Sequence, residues 1–142
     1  MDSSQLDEAL FFDAVPGAYA NYRAFHDAVL SIYPETQVKV QKTQITFYNP
    51  RFFACASLLR ARKKVQLPNP WLTVTLGLPY RMESSRVAFC TQAYPGRWTT
   101  HIVVGSPEEI DDELLRWVSE AWDFAARKRQ KKENYVERQN KI

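Results

Sequence analysis

The spacing of apolar residues changes twice along this chain of 142 residues, and this change restricts the fold more than any other feature of the sequence. Between residues 37 and 104 apolar and polar residues alternate, and β-branched and aromatic residues are abundant, as in strands. On either side, apolar residues recur at intervals of three and four, as on one face of a helix. This order predicts an α+β domain of two layers, in which helices cover one face of an antiparallel sheet.

Three helices are expected at the ends of the chain. The pattern predicts a short helix within residues 3–15 and a second within 16–33, followed by a long C-terminal helix. Ser106, Pro107 and Glu109 match a capping box that would begin this last helix. Its apolar stripe, which leaves Trp117 to one side, comprises Ile110, Leu114, Val118, Trp122 and Ala125.

Roughly five strands are expected between the helices. The first, residues 37–49, changes phase, because its early and late apolar pairs fall on opposite faces of one regular strand. Only a bulge, a bend or a break between residues 41 and 44 brings both pairs into one core. The last two strands are joined at Pro95-Gly96, which has the signature of a type II turn, in a loop expected to exceed two residues.

Charge divides the chain at residue 126. Residues 127–142 carry seven Lys or Arg and two Glu, a balance of +5, whereas the chain as a whole carries +3, so residues 1–126 carry −2. We therefore expect a single domain over residues 1–126, and a basic helix extension or flexible tail over 127–142. With the basic run at residues 60–64, this tail allows a weak, salt-sensitive contact with nucleic acid.

The sequence favours a cytoplasmic protein without a membrane span. No stretch reaches the roughly 20 apolar residues that a span requires, and the acidic N-terminus is unlike a signal peptide. Cys55 and Cys90 lack paired spacing, which is typical of free thiols in a reducing compartment.

Enzyme motifs are not recognisable in the sequence. The four glycines stand singly, which excludes the usual dinucleotide and phosphate loops. A nucleophilic pair of Cys90 and His101 would lack an orienting carboxylate, and a metal site at Cys55 and Cys90 would lack close ligand spacing. The sequence therefore leans against an enzyme, and it indicates no cofactor and no metal.

Four polar residues are the candidates for a binding site: Lys42, Gln44, Arg97 and His101. If the first strand keeps its register, Lys42 and Gln44 fall on the buried face, and the buried lysine requires an anionic partner or a wet cavity, whereas a bulge would turn both residues outward. Arg97 and His101 share one face of their strand but lie roughly 13 Å apart, so they need Lys42 or Arg86 to hold one small anion. A ligand-facing strand and an ordinary surface both remain open.

Several segments together resemble a known family: "KTQITF" (42–47), "LGLP" (76–79) and "YPGRWTTHIVV" (94–104) followed by "SPEEIDDELLRWV". In order and spacing they are similar to an uncharacterised bacterial family, the domain of unknown function numbered 5655. This family also forms the C-terminal part of longer chains labelled predicted transport proteins. The resemblance covers roughly residues 8–126, implies the α+β fold and assigns no activity. Where the family often carries a second histidine, this chain has Thr100.

The leading functional hypothesis is a cytoplasmic, non-enzymatic binding module for a small anionic ligand. The alternative is a protein-interaction or homo-oligomerisation scaffold without a ligand. An unrecognised hydrolase is a third reading.

Overall fold

A computed structural model describes the backbone of residues 3–140 and the side chains of residues 4–127. These residues form three α-helices and six strands in the order ααββββββα. They are α1 (Ser3–Phe11), α2 (Ala18–Ile32), β1 (Gln37–Val40), β2 (Ile45–Tyr48), β3 (Phe52–Ser57), β4 (Leu72–Leu78), β5 (Val87–Tyr94), β6 (Arg97–Val104) and α3 (Asp112–Asn140). The expected α+β class, with two N-terminal helices and a long C-terminal helix, is confirmed.

The six strands form one antiparallel sheet in the order β1-β2-β3-β4-β6-β5. The extra strand comes from the segment 37–49, whose change of phase is a complete break. Val40 pairs with Ile45, and residues 41–44 form the turn of a hairpin. Lys42 lies in this turn and is exposed, so it is not buried as an unbroken strand would require.

The two faces of the sheet differ in composition. Val74 and Leu76 of β4 lie in register with Ala56, Ile102 and Ala54, and all of them are buried in the core beneath α2 and α3. The intervening residues of β4 point to the opposite face, because side chains alternate along a strand. They are Thr73, Thr75 and Gly77.

The stripe of α3 that packs on the sheet differs in one respect from the predicted one. Leu114 and Val118 are fully buried as expected, but Trp117 is also buried, whereas Trp122 is only partly so. Trp122 stacks on Tyr33 and donates its indole N–H to the carbonyl of Asn49 at 2.8 Å. The prediction that Trp117 lies outside the packed face was therefore wrong.

The start of α3 also differs from the prediction. Pro107–Glu109 form a separate 3₁₀ turn, and Glu109 accepts a hydrogen bond from the backbone N–H of Gly105 at 2.6 Å. The helix proper begins at Asp112, and Asp111 caps it by accepting the N–H of Leu114 at 3.0 Å. The capping motif thus closes a short turn that precedes the helix.

Helix α1 is anchored to α2 by a buried polar contact. The phenol of Tyr22 donates a hydrogen bond to Glu8, and both side chains are almost completely buried. Burial, followed by this hydrogen bond, raises the pKa of Tyr22 above its ordinary value, so the phenol stays a donor. The contact fixes the C-terminal end of α1, which carries Phe11.

The β5–β6 hairpin confirms one expectation and corrects another. Gly96 has a φ of +85°, as a glycine at the third position of a type II turn requires. However, Tyr94 pairs directly with Arg97, so the loop has two residues and is not longer. An irregularity in register between Gln92 and Tyr94 accommodates the tight connection.

Replacing Gly96 with valine isolates the backbone strain of this turn. A side chain there would meet no atom within 4 Å, so the cost comes from the positive φ alone. We expect Gly96→Val to lower the free energy of unfolding by about 1 kcal/mol or more in urea titrations, and Gly96→Asn to cost less. Equal stability of the valine variant and the parent would contradict the turn assignment.

Candidate functional site

A cavity of about 680 Å³ lies on the sheet face that points away from α2 and α3. Its floor is formed by β3, β4 and β6, and the turn between β1 and β2 forms part of its rim. All four residues proposed from the sequence line this cavity. The lining residues are Phe11, Lys42, Thr43, Gln44, Phe52, Cys55, Ser57, Leu58, Leu59, Thr75, Leu76, Gly77, Arg97, Thr99 and His101.

A row of side chains crosses the floor because neighbouring strands place them in register. Thr46 of β2 lies opposite Cys55, Cys55 opposite Thr75, and Thr75 opposite His101. Thr75 Oγ1 and His101 Nδ1 are 2.9 Å apart, within hydrogen-bonding distance. The ring of Phe89 packs on the His101 imidazole at a centroid distance of 4.4 Å.

Gln44 connects the rim to this floor. Its amide donates to Thr46 Oγ1 at 3.1 Å, and its carbonyl oxygen accepts from the thiol of Cys55 at 3.6 Å. Thr46 in turn donates to Gln41 Oε1 at 2.6 Å. These contacts fix the β1–β2 turn against the sheet, and they occupy the Gln44 amide. Gln44 therefore lines the cavity, but its side chain chiefly holds the β1–β2 turn against the sheet.

Burial favours the neutral forms of two titratable groups on the floor, the Cys55 thiol and the His101 imidazole. Burial raises the pKa of the Cys55 thiol, an effect that a hydrogen bond with Thr75 partly offsets. Burial also lowers the pKa of His101. A protonated thiol is a weak nucleophile. Cys90, the other candidate partner of His101, lies opposite Thr100, so its side chain points to the other face.

Arg97 lies flat on the sheet above Gly77. A methyl group at position 77 would approach Nη2, Cζ and Nη1 of Arg97 to 2.7, 2.8 and 2.8 Å. These nearly equal distances mean that the guanidinium turns its face, and not its edge, towards the glycine. The absence of a side chain at Gly77 therefore provides the space that this cation occupies.

The Arg97 guanidinium has no anionic partner among the described side chains. Every ion pair found there involves Arg23, His26 or Arg86. Burial alone accounts for the lowered pKa of Arg97, and it does not bring the group near neutrality, because arginine stays protonated in proteins. A half-buried cation without a counter-ion is costly, which makes this residue the most informative feature of the cavity.

The second cation considered for the site, Arg86, lies elsewhere. Its guanidinium pairs with Asp111 at 2.9 Å and Glu113 at 3.1 Å, and it lies 5.6 Å from the ring centre of Trp117. Arg86 thus stabilises the start of α3. Lys42, at the rim of the cavity, is the cation that accompanies Arg97.

The cavity lining contains no Asp or Glu among the described residues, and much of its wall is apolar. Phe52, Leu58 and Leu59 form part of the wall, and Leu59 is 44% exposed. No group of three or more His, Cys, Asp or Glu that could hold a metal ion is found over the described side chains. Basic and apolar groups together suit an anion with a hydrophobic part.

Sequence reasoning missed Gly77, Cys55 and Thr75 as members of the site. Gly77 carried a detectable signal, since a lone glycine inside a strand often marks a close approach. The group that approaches it was not predictable, because Arg97 follows twenty residues later and meets Gly77 only through the pairing of β4 with β6.

Comparison with known proteins places the chain in a family. The family model described as Domain of unknown function (DUF5655) matches residues 11–125, most of the chain. The chain belongs to this family. No curated protein and no solved structure matches it. The resemblance noted in the sequence is thus confirmed, while the bacterial origin and the link to predicted transport proteins stay predictions.

The remaining expectations concern membranes and nucleic acid. No helix in the described part of this DUF5655 chain has the length and apolar character needed to cross a bilayer. In the basic run at 60–64, Arg62 donates to the carbonyl of Ser85 at 3.1 Å, and Lys63 and Lys64 are exposed. The side chains of residues 128–142 lie outside the described residues, so the contact with nucleic acid stays a prediction.

The burial of His101 predicts a pH dependence of stability. Because its pKa in the folded state is below the ordinary 6.5, the unfolded chain binds this proton more readily. The contribution of neutral His101 to stability is therefore complete above the ordinary pKa of 6.5. It is lost as the pH falls from 6.5 towards the lower pKa of the folded state. Between about pH 7.5 and about pH 5.5, we expect the melting temperature to fall further for the parent than for His101→Gln. His26 and the carboxylates are common to both proteins, so parallel pH profiles would contradict the assignment.

Proposed function

We propose that this chain is a non-enzymatic binding module for a small anionic ligand, held on the sheet face opposite the helices. The observation that carries the proposal is the half-buried, unpaired Arg97 above Gly77. A bound anion would supply the counter-ion that the described side chains do not, and Lys42 at the rim adds a second positive charge.

The ligand would be recognised by groups of three kinds. Arg97 offers two parallel N–H donors that match a carboxylate or a phosphate. Thr75 and Thr99 offer hydroxyl groups on the floor, and neutral His101 offers a ring nitrogen beyond the one near Thr75. The cavity is large enough for an organic molecule, since small-molecule sites occupy roughly 300–1,000 Å³.

The arrangement supports binding better than catalysis. Cys55 is the candidate nucleophile within the floor row, but its raised pKa disfavours the thiolate, and His101 contacts Thr75 and not Cys55. A hydrolase that used this thiol as its nucleophile would need a base in contact with it. We also propose a cytoplasmic location, supported by the two free thiols, Cys55 and Cys90.

The second candidate is a homo-oligomerisation scaffold, and the strand β5 favours it. This strand forms one edge of the sheet and carries no charged residue, whereas edge strands in monomers are commonly protected by charges. Phe89 and Tyr94 on this strand are exposed. Light scattering of the purified protein separates the two candidates, since an oligomer without anion binding would support the scaffold.

The binding proposal predicts that anions stabilise the protein through Arg97. In thermal scans with phosphates, nucleotides and carboxylates, we expect at least one anion to raise the melting temperature of the parent. At a hundred times its dissociation constant, such a ligand contributes about 2.7 kcal/mol of stability. Arg97→Gln should abolish the increase, whereas Arg116→Gln, on the exposed side of α3, should retain it.

Gly77→Ala tests the same site without removing a charge. The added methyl group would displace the guanidinium, while the strand itself tolerates alanine because Gly77 does not have a positive φ. We expect the variant to fold and to lose the response to anions. If no anion stabilises the parent, or if Arg97→Gln responds as the parent does, the binding proposal is wrong.

A further inference from the structure

The volume of the cavity bears on the kind of anion that it holds. An inorganic phosphate or sulfate on Arg97 would fill only a small part of the 680 Å³, and the rest would contain water against Phe52, Leu58 and Leu59. Ordered water is stable where it finds two to four polar partners, which apolar walls do not provide. The cavity therefore suits a ligand that also has an apolar body.

The orientation of Arg97 bears on the shape of the charged group. Because the guanidinium lies face-down on Gly77, its N–H donors project along the sheet surface. A carboxylate pairs with these donors in the plane of the guanidinium, so it also lies parallel to the sheet. A tetrahedral phosphate in the same position would direct one oxygen towards the strand backbone beside Gly77, where there is little room.

The floor of the cavity is also flat, because small side chains form its centre. Around Gly77 and Thr75, the side chains that face the cavity from the neighbouring strands are small: Thr99 lies opposite Gly77, and Cys55 lies opposite Thr75. Larger apolar side chains line the cavity from β3 and from the connection that follows it, namely Phe52, Leu58 and Leu59, and from α1, namely Phe11. A flat body resting on such a floor would contact Phe52 and the two leucines with its edges.

We infer that the ligand is an organic carboxylate with an apolar body, lying flat on the sheet with its carboxylate paired to Arg97 and its body against Phe52, Leu58 and Leu59. The inference rests on the proposed function, and it names the class of ligand for that site. Lys42 at the mouth attracts the anion without reaching the floor, since its side chain is exposed.

A series of carboxylates tests the apolar part of the inference. The ¹⁵N-labelled full chain is titrated with acetate, butyrate, hexanoate and benzoate, and the signals of the Arg97 Nε–H and the Gly77 amide are followed by NMR. Each buried methylene should tighten binding about fourfold, so hexanoate should bind far more tightly than acetate. Phenyl phosphate tests the head group, and we expect it to bind more weakly than benzoate.

Two variants locate the apolar contact. Leu59 is an exposed part of the wall, and its backbone alone makes its hydrogen bonds, so Leu59→Asn should fold. In this variant the affinity should depend less on the chain length of the carboxylate. Val65 is 92% exposed and does not line the cavity, so Val65→Asn is the matched control and should bind as the parent does.

The outcomes separate this inference from the proposed function. If acetate and phosphate bind at Arg97 but affinity is independent of chain length, the inference is wrong and the anion site stands. Tighter binding of phenyl phosphate than of benzoate would overturn the carboxylate assignment alone. If hexanamide binds as well as hexanoate, the charge plays no part, and both proposals fail. They also fail if none of these compounds shifts the two signals.

Discussion

The alternation of side chains along β4 is the constraint on which both the core and the candidate site depend. One set of its residues, including Val74 and Leu76, contacts the helices, and the other set, Thr75 and Gly77, forms the cavity floor. Because the period of a strand is two, a slip of one residue would exchange the two sets and destroy both at once. The burial of Val74 and Leu76 against the helices therefore also determines that Thr75 and Gly77 face the cavity.

The chemistry of the floor follows from its partial burial. Desolvation raises the pKa of Cys55 and lowers that of His101, which favours their neutral forms, whereas Arg97 stays charged because arginine stays protonated in proteins. Arg97 and Lys42 are consequently the two cations of the cavity lining, and no carboxylate of the described residues opposes them there. Such an arrangement suits the proposed anionic ligand, and among the described residues of the lining the thiol of Cys55 is not in contact with the His101 imidazole.

Much of the fold could be predicted from the sequence, because local periodicity determines which face of an element is buried. The phase of residues 97–104 correctly placed Arg97 and His101 on one face and Ile102 on the other. Features that depend on contacts between segments distant in the sequence could not be predicted in this way. Trp117 is buried although it lies outside the simplest stripe, and the close approach of Arg97 to Gly77 is visible only once β4 and β6 are paired.

A crystal structure with 4-iodobenzoate would show whether Arg97 binds an anion on the open face of the sheet. The iodine gives an anomalous signal that marks the position of the ring independently of the protein density. We expect the carboxylate to pair with Arg97 at roughly 2.7–2.9 Å and the iodine to lie over the apolar wall of the cavity. An empty cavity at saturating concentration, or iodine bound only elsewhere on the surface, would contradict it.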